Sequence, residues 1–236
     1  QDPMTSLNPV FTVGNQLKEA IELHTDRKGK EAEARAIEML TLVGVNEPEK
    51  RVKQYPYELS GGMRQRVMIA MALACEPDIL IADEPTTALD VTIQAQILEL
   101  MQSLQKKLGM AIIMVTHDLG VIADMCDEII VMYGGRVCER GTAEDIFYRP
   151  HHEYTKGLLR SIPNVDRIGE KLIPIPGTPI NLLNMPKGCA FCPRCEEAMK
   201  ICIEEQPPEM KMPDGHFASC WLNVKAAMEE EKGGRQ

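Results

Sequence analysis

The stretch ILIADEPTTALD, residues 79–90, decides the fold. It opens with a short, nearly continuous apolar run, and a second run of the same kind, MAIIMVTHD, lies at 110–118. The segment between them, TIQAQILELMQSLQKKLG at 92–109, carries apolar residues at helical spacing. A strand, a helix and a strand in this order predict a buried parallel sheet, and therefore an α/β protein.

Each of these strands ends in two polar residues, Asp83 with Glu84 and His117 with Asp118. Open parallel sheets bind their ligands at the carboxyl ends of the strands. One of two successive carboxylates can hold Mg²⁺ while the next orients or deprotonates a water, and a histidine can donate to a phosphate oxygen. These groups are the minimal set for phosphoryl transfer. Strand ends at a surface are also commonly polar, so the pairs alone leave a structural role equally open.

The stretch LSGGM at 59–63 predicts a second phosphate-binding element. Ser60, Gly61 and Gly62 stand where a helix is predicted to begin, so backbone N–H groups are uncovered at the positive end of the helix dipole. Glycines let a phosphate approach the backbone closely. N-capping by Ser60 explains the same serine without any ligand.

Helical periodicity and turn residues organise the rest of the chain. Apolar spacing predicts helices over 13–24, 30–45 and 58–77, the last of which begins after Ser60. The stretch DEIIVMYGGRVCERG at 127–141 predicts a hairpin around its two glycines.

The composition is that of an ordinary globular protein, with 44% hydrophobic and 26% charged residues among 236. Asp and Glu number 35 against 26 Lys and Arg, and the formal net charge of −9 argues against broad binding to nucleic acid or anionic lipid. No uncharged apolar run is long enough to span a bilayer. The first residues, QDPMTSLNPV, lack the features of a signal peptide and do not begin with Met, so we expect a chain that was cut or that starts inside a longer protein.

Three motifs in this order resemble the ATP-binding subunits of ABC transporters: LSGGMRQRV at 59–67, ILIADEPTTALD at 79–90 and VTHD at 115–118. SLNPVFTVGNQL at 6–17 and a cysteine-rich C-terminal extension are similar to the peptide and nickel importer subgroup of that family. The fold implied is that of a P-loop NTPase, with the C-terminal portion of a parallel sheet, a helical subdomain and the extension.

The resemblance implies three regions. Residues 1–76 would form the Q-loop and the helical subdomain with the signature motif. Residues 77–149 would form a portion of the RecA-like core with Walker B, D-loop and H-loop, and residues 150–236 the peptide-importer extension with its cysteine cluster.

The resemblance also implies the residues of the catalytic site. Gln1 matches the Q-loop glutamine, which touches Mg²⁺ and the attacking water. Asp83 matches the Walker B aspartate, acting on Mg²⁺ through water, and Glu84 matches the catalytic glutamate that polarises the attacking water. His117 matches the switch histidine that senses the γ-phosphate.

A second set of implied residues acts across a dimer interface. Ser60, Gly61 and Gly62 match the signature motif, which contacts the γ-phosphate of an ATP held mainly by the opposite subunit. Asp90 matches the D-loop aspartate. Met63 stands where the signature commonly has Gln, whose hydrogen bond Met cannot make, and we interpret it as a mark of the subgroup.

The 236 residues contain no G-x-x-x-x-G-K-[ST] motif. That loop cradles the phosphates of ATP and supplies a lysine and a Mg²⁺-binding hydroxyl. In the family it precedes the Q-loop, and this chain begins at Gln1, so we expect the sequence to be the C-terminal part of a full subunit. We also expect the isolated chain to lack useful ATPase activity and to expose a sheet edge and apolar faces.

Five of the eight cysteines cluster near the C-terminus. Cys189, Cys192 and Cys195 stand at C-x₂-C-x₂-C, and Cys202 and Cys220 follow, which suits an iron–sulfur cluster while leaving zinc open. Within the importer subgroup the matching positions are Cys189, Cys195, Cys202 and Cys220, and some members carry a [4Fe–4S] cluster there. Spacing selects Cys192 as a ligand, whereas the resemblance leaves it as a spare or exchangeable one.

The remaining candidates in the sequence have simpler interpretations. Cys75, Cys126 and Cys138 are scattered and are predicted to be small core residues. His216, in the G-H pair before Cys220, is predicted to be structural rather than a metal ligand. We expect the cysteine site to be a structural staple more than a redox sensor, since such a site contributes folding energy outright.

The implied function is that of the ATP-hydrolysing motor of an importer for peptides or a related small solute, with ATP and Mg²⁺ as cofactors. The implied partners are a second ATPase subunit, two transmembrane permease subunits and an extracytoplasmic solute-binding protein, with no nucleic acid. The implied location is peripheral, at the cytoplasmic face of the cell membrane. Two alternatives are a soluble ABC-type ATPase acting on nucleic acid or ribosomes, and a metal-binding regulatory module without ATPase activity.

Overall fold

The computed structural model describes residues 3–87, 89–161 and 173–233. The chain divides into two compact units, Gln1–Met125 and Cys126–Gln236. The three-region division drawn from the resemblance stays a prediction. Gln1, the Q-loop candidate, lies outside the described residues.

The described part of the first unit contains helices and one strand pair. The helices are α1 Pro3–Ser6, α2 Val13–His24, α3 Lys30–Leu42, α4 Pro48–Arg51, α5 Gly61–Leu73, α6 Val91–Leu108 and α7 Leu119–Met125, with a 3-10 turn at Pro56–Glu58, and the strands are β1 Ile79–Asp83 and β2 Ala111–Val115.

The predicted strand–helix–strand unit is confirmed. β1 and β2 pair in parallel, in a register that runs from Ile79 opposite Ala111 to Asp83 opposite Val115. The connecting helix α6 begins after Asp90, whose Oδ1 accepts the Ile93 N–H at 3.0 Å. Such a cap satisfies one of the backbone donors left free at a helix start.

The core of the first unit lies between its helices. Val13, Leu17 and Ile21 recur at four-residue spacing along α2 and are completely buried. Leu40 of α3 and Leu73 of α5 belong to the same buried cluster. The helices predicted over 13–24, 30–45 and 58–77 thus form around one apolar core.

One face of the strand pair is uncovered by the described residues. Leu80 and Ala82 of β1 point into the core, while Ile79 and Ile81 alternate with them and are 56% and 68% exposed. Ile113 of β2 is exposed on the paired strand. We call this surface the open strand face. The expectation of exposed apolar faces is confirmed here.

The second unit is built on an antiparallel sheet in the order β3-β4-β6-β5. Its described elements are β3 Ile129–Tyr133, β4 Arg136–Gly141, α8 Ala143–Tyr148, α9 Glu153–Arg160, α10 Lys200–Glu204, β5 Met210–Lys211, β6 Phe217–Ala218 and α11 Trp221–Gly233, with 3-10 turns at Leu182–Asn184 and Cys192–Arg194.

The predicted hairpin is confirmed by the antiparallel pairing of β3 with β4. Gly134 and Gly135, between the strands, have φ of 57° and 74°, a left-handed conformation that glycine adopts without strain. Within the described ranges, no helix of either unit is long and apolar enough to cross a membrane.

A small aromatic core attaches the cysteine-rich segment to this hairpin. Tyr133, Cys138, Ala190 and Phe191 form one buried cluster, and the rings of Tyr133 and Phe191 meet edge to face at 5.3 Å. Cys138 is therefore a core residue, as predicted.

The other two scattered cysteines are less buried than predicted. Cys75 and Cys126 are each only half-buried. Both thiols nevertheless have a pKa above the ordinary value, because partial burial disfavours the thiolate.

The two halves of the cysteine-rich segment meet at a glycine. Cys189 donates its backbone N–H to the Cys202 carbonyl at 2.8 Å. A Cβ at Gly188 would lie 2.2 Å from that same carbonyl oxygen, a distance no side chain can occupy. Gly188 is therefore required for Cys189 and Cys202 to come together.

We expect Gly188→Ala to destabilise the second unit by about 1–3 kcal/mol, the usual cost of forcing an extra carbon into a packed site. Urea unfolding followed by circular dichroism measures the change. Gly61→Ala is the matched control, because a Cβ there meets no atom within 4 Å. Equal unfolding midpoints for the two variants would contradict the steric argument.

Candidate functional site

The end of β1 turns sharply to present its carboxylates. Asp83 is the last residue of the strand, and Glu84 follows with φ of 46°, one of few left-handed residues here that are not glycine. The Glu84 N–H donates to the Val115 carbonyl at 2.8 Å, extending the parallel pairing by one bond. A strained residue held in place by a ladder bond is typical of functional sites.

The Glu84 carboxylate is held by two side chains. Thr87 donates its hydroxyl to Glu84 Oε2 at 2.8 Å, and His117 Nδ1 lies 3.1 Å from Glu84 Oε1. These hydrogen bonds, that from Thr87 first, lower the pKa of Glu84 below its usual value. Glu84 is therefore a carboxylate at neutral pH, as a group that orients or accepts a proton from water must be.

His117 stands at the surface, with 78% of its side chain exposed. The sequence predicted separate roles for Glu84 and His117, 33 positions apart, and the structure brings the two side chains into contact. Asp83 is the last residue of β1, directly before Glu84. The roles assigned to these three residues stay predictions.

Asp118, the fourth polar residue at the strand ends, forms hydrogen bonds with nearby helices. Its Oδ1 accepts the Gly120 N–H at 2.9 Å at the start of α7, and its Oδ2 accepts from Gln94 Nε2 at 3.2 Å. The carboxylate thus ties α7 to α6, which explains its position without a ligand.

The start of α5 shows the predicted cap at Ser60, while phosphate binding there stays a prediction. Ser60 caps the helix, its Oγ accepting the Met63 N–H at 3.4 Å. A Cβ at Gly61 would meet open space, whereas one at Gly62 would lie 3.0 Å from Ile93 of α6. The helix start is therefore capped on one side and open at Gly61, where a ligand can approach the backbone.

Sequence reasoning missed two residues that support the site. Gln65 is 2% exposed and donates Nε2 to the Pro85 carbonyl at 2.6 Å, which joins α5 to the loop after β1. A glutamine on the apolar face of α5 could have indicated that Gln65 is buried and needs a hydrogen-bond partner. Thr87 carried no signal beyond its place in the motif. Asp90, the D-loop candidate, serves as the N-cap of α6.

The cysteines predicted to form one site lie around one small cavity of the second unit. It is lined by Cys189, Cys192, Cys195, Cys202 and Cys220. All five are free thiols. Successive backbone bonds, from Cys192 N–H to the Cys189 carbonyl and from Cys195 N–H to the Cys192 carbonyl, coil the first three into a tight turn. Cys192 is thus placed with the other four.

Burial raises the pKa of the Cys195 thiol to about 12, and the nearby thiols of Cys220 and Cys189 add to the effect. Burial raises the pKa of Cys189 and of Cys220 as well. Without a positive charge, the cavity therefore favours neutral thiols. Thiolates are the ligands of soft metal centres, so the donor set fits such a centre, whose charge would reverse this preference.

Comparison with known proteins defines the class of protein to which this chain belongs. Residues 1–87 match the ABC transporter family, and residues 138–202 match the oligopeptide/dipeptide transporter C-terminal region. Among solved structures, cbiO1 from Clostridium perfringens, part of an ABC transporter complex, is 31% identical with a TM-score of 0.55, over 63% of this chain and 57% of that one. An ATP-binding cassette dimer in a post-hydrolysis state, bound to ADP and Pi, is 32% identical with a TM-score of 0.50, over 58% and 59%. The fold is that of an ABC ATPase, a P-loop NTPase.

Curated relatives identify the group of ABC transporter proteins that this chain resembles in sequence. The dipeptide transport ATP-binding protein DppD of Bacillus subtilis is 54% identical over 96% of this chain, and the oligopeptide transport protein OppD of the same organism is 57% identical over 94%. OppD of Salmonella typhimurium is 54% identical over 95% of this chain. The chain spans 68%, 62% and 67% of these relatives, respectively. It belongs to the ATP-binding proteins of the oligopeptide and dipeptide ABC transporters.

We expect Thr87→Val to raise the pKa of Glu84 toward its ordinary value, since the largest cause of the lowering is removed. The carboxylate is then protonated at higher pH than in the unchanged protein. The ¹³C chemical shift of the Glu84 carboxyl, followed by NMR against pH, measures this, and Glu84→Gln assigns the signal. Thr25→Val, at the C-cap of α2, is the control that should leave the titration of Glu84 unchanged. An unchanged titration in Thr87→Val would refute the assigned cause.

Proposed function

We propose that the protein is the ATP-binding and hydrolysing motor subunit of an ABC importer for peptides or a related small solute. The observation that carries the proposal is the Glu84 carboxylate, held ionised between Thr87 and His117 at the carboxyl end of β1. Family membership supports the reaction, and the relatives' names support the class of solute.

The geometry suits hydrolysis in which Glu84 orients the attacking water and takes its proton. His117 is exposed beside Glu84, where it can contact the γ-phosphate and transmit its loss to the same carboxylate. Mg²⁺ neutralises developing charge on the phosphates when bound, and Asp83 would hold it through water. Gln1 is proposed to touch this ion and the attacking water, on resemblance alone.

A second ATPase subunit completes the proposed site. The open backbone at Gly61, beside Ser60 and Gly62, would contact the γ-phosphate of an ATP held by the partner. Asp90 would lie across the same interface. Gln65, bonded to Pro85, links this helix to the loop that carries Glu84, so each subunit's signature helix is coupled to its own catalytic carboxylate.

The remaining partners follow from the relatives' names as transport proteins. We propose two transmembrane permease subunits, an extracytoplasmic solute-binding protein and a peripheral place at the cytoplasmic face of the membrane. No observation favours action on nucleic acid, and the net charge of −9 opposes it.

We further propose that the cysteine cavity holds a [4Fe–4S] cluster on Cys189, Cys195, Cys202 and Cys220. A single zinc ion at about 2.3 Å from each sulfur would set the sulfurs about 3.8 Å apart. In the described ranges, no three cysteine sulfurs all lie within 4.8 Å of one another. The C-x₂-C-x₂-C spacing followed by more distant cysteines supports a polynuclear cluster, and Cys192 remains an exchangeable fifth ligand.

In the complete subunit assembled with its partner, we expect Glu84→Gln to slow ATP hydrolysis roughly 10²–10⁴-fold, the range for loss of a general base, while ATP binding persists. Phosphate release and nucleotide binding measure the two effects. Glu99→Gln on the exposed side of α6 is the matched control. A wild-type rate in Glu84→Gln would overturn the proposed motor chemistry.

Anaerobically purified protein is expected to show a broad visible absorption band that is lost on reduction, together with bound iron. Cys189→Ser and Cys220→Ser should abolish both signals, whereas Cys192→Ser and the first-unit control Cys75→Ser should keep them. A colourless protein, or iron that survives Cys189→Ser, would contradict the cluster.

A further inference from the structure

A second cluster of metal-binding side chains lies in the second unit. His151, Asp214 and His216 place one ligand atom each within 4.8 Å of the others. His151 comes from the segment between α8 and α9, while Asp214 and His216 flank Gly215 in the turn between β5 and β6. The φ of Gly215 is 102°, which few other residues adopt, so the turn that presents both side chains depends on glycine.

His216 is the centre of this cluster and its side chain is fully buried. Its Nε2 lies 3.2 Å from Oε1 of Glu139, a carboxylate that is also fully buried. Glu139 Oε2 accepts the His152 backbone N–H at 3.1 Å, and Oε1 accepts that of His151. The carboxylate has only acceptor atoms, so the proton of the imidazole belongs on Nε2.

In the neutral imidazole, the other ring nitrogen then carries a lone pair instead of a proton. His216 Nδ1 is buried without a hydrogen-bond partner, yet it lies 2.9 Å from Asp214 Oδ1. A nitrogen lone pair facing a carboxylate oxygen at this distance repels it unless a cation lies between them. A histidine whose second N–H donates to a carboxylate is the usual arrangement at a protein-bound metal.

The charges of the side chains around His216 also favour a bound cation. Three carboxylates surround the imidazole, from Glu139, Asp145 and Asp214, at 3.2, 3.9 and 2.9 Å from its ring nitrogens. The guanidinium of Arg149 pairs with Asp145 at 2.6 Å and lies 3.9 Å from Asp214. One positive charge against three negative ones leaves an excess of two, which a divalent cation would neutralise.

We propose that His151, Asp214 and His216 bind a divalent transition-metal ion of the zinc class. Ligands at about 2.0–2.1 Å from a tetrahedral ion lie about 3.4 Å apart. His216 Nδ1 lies 2.9 Å from Oδ1 of Asp214, and His151 Nε2 lies 3.5 Å from Oδ2 of the same carboxylate, so both imidazoles reach Asp214 at close to this spacing. Two imidazoles and one carboxylate suit zinc and leave one position for water.

The ion would act as a tie between parts of the second unit. It joins the β5–β6 turn to the segment between α8 and α9, and Glu139 continues the link into β4. A Cβ at Gly141 would lie 2.6 Å from His216 Cβ, so glycine at the end of β4 lets the histidine reach its place. His216 thereby gains a ligand role that the sequence did not predict.

The test uses the complete subunit, stripped with a chelator and titrated with Zn²⁺ and with Co²⁺. We expect about one equivalent bound at a site of nitrogen and oxygen ligands. Co²⁺ there gives d–d absorption without the thiolate charge-transfer bands that the cysteine cavity would produce. This optical difference separates the two sites.

Variants locate the ion. His151→Gln, at a partly exposed position, and Asp214→Asn should each abolish binding of this one equivalent of metal. Glu139→Gln should lower the metal affinity roughly 10–100-fold, because Glu139 orients His216 without contacting the ion. His24→Gln, on α2 of the first unit, is the matched control and should bind as the unchanged protein does. Circular dichroism checks that each variant is folded.

One pair of results would overturn the proposal. The unchanged protein binding no ion outside the cysteines, or His151→Gln and Asp214→Asn both binding as before, would leave His216 with only its contacts to Glu139 and Asp214. Loss of the ion in the variants with ATPase activity intact supports the site, since the proposal does not depend on the motor function.

Discussion

The parallel pairing of β1 with β2, extended by the bond from the Glu84 N–H to the Val115 carbonyl, is the constraint on which the catalytic end of the molecule depends. It holds a non-glycine residue in a left-handed conformation. That conformation turns the carboxylate of Glu84 toward His117, on the neighbouring strand's continuation. The strained backbone conformation at Glu84 therefore places one side chain, and the hydrogen bond to the paired strand holds that conformation.

Local patterns predicted the elements of the chain well. The apolar spacing in VGNQLKEAIELH predicts a helix over 13–24, and α2 has these bounds. The apolar runs before Asp83 and His117 become strands, and the two glycines of the 127–141 stretch close a hairpin. Each of these features depends on residues close together in sequence, which is why periodicity and turn chemistry suffice for them.

Long-range contacts were beyond such reasoning. The bond between Gln65 and Pro85, and the contact between His216 and Glu139 across 77 positions, have no local pattern. Cysteine spacing and the family resemblance disagreed on Cys192, and only the folded chain places it at the cavity with the other four. Buried polar partners of this kind are decided by packing, since each must satisfy another group from a distant element.

The apolar core around Tyr133 and Phe191 has a consequence for the life of the protein in the cell. This cluster contains four buried residues of the second unit, and a core of that size contributes little stability by itself. An ion that binds only the folded form adds about 1.4 kcal/mol for each tenfold rise in its free concentration above the dissociation constant. With the proposed metal sites, the stability of this unit would therefore depend on the supply of metal.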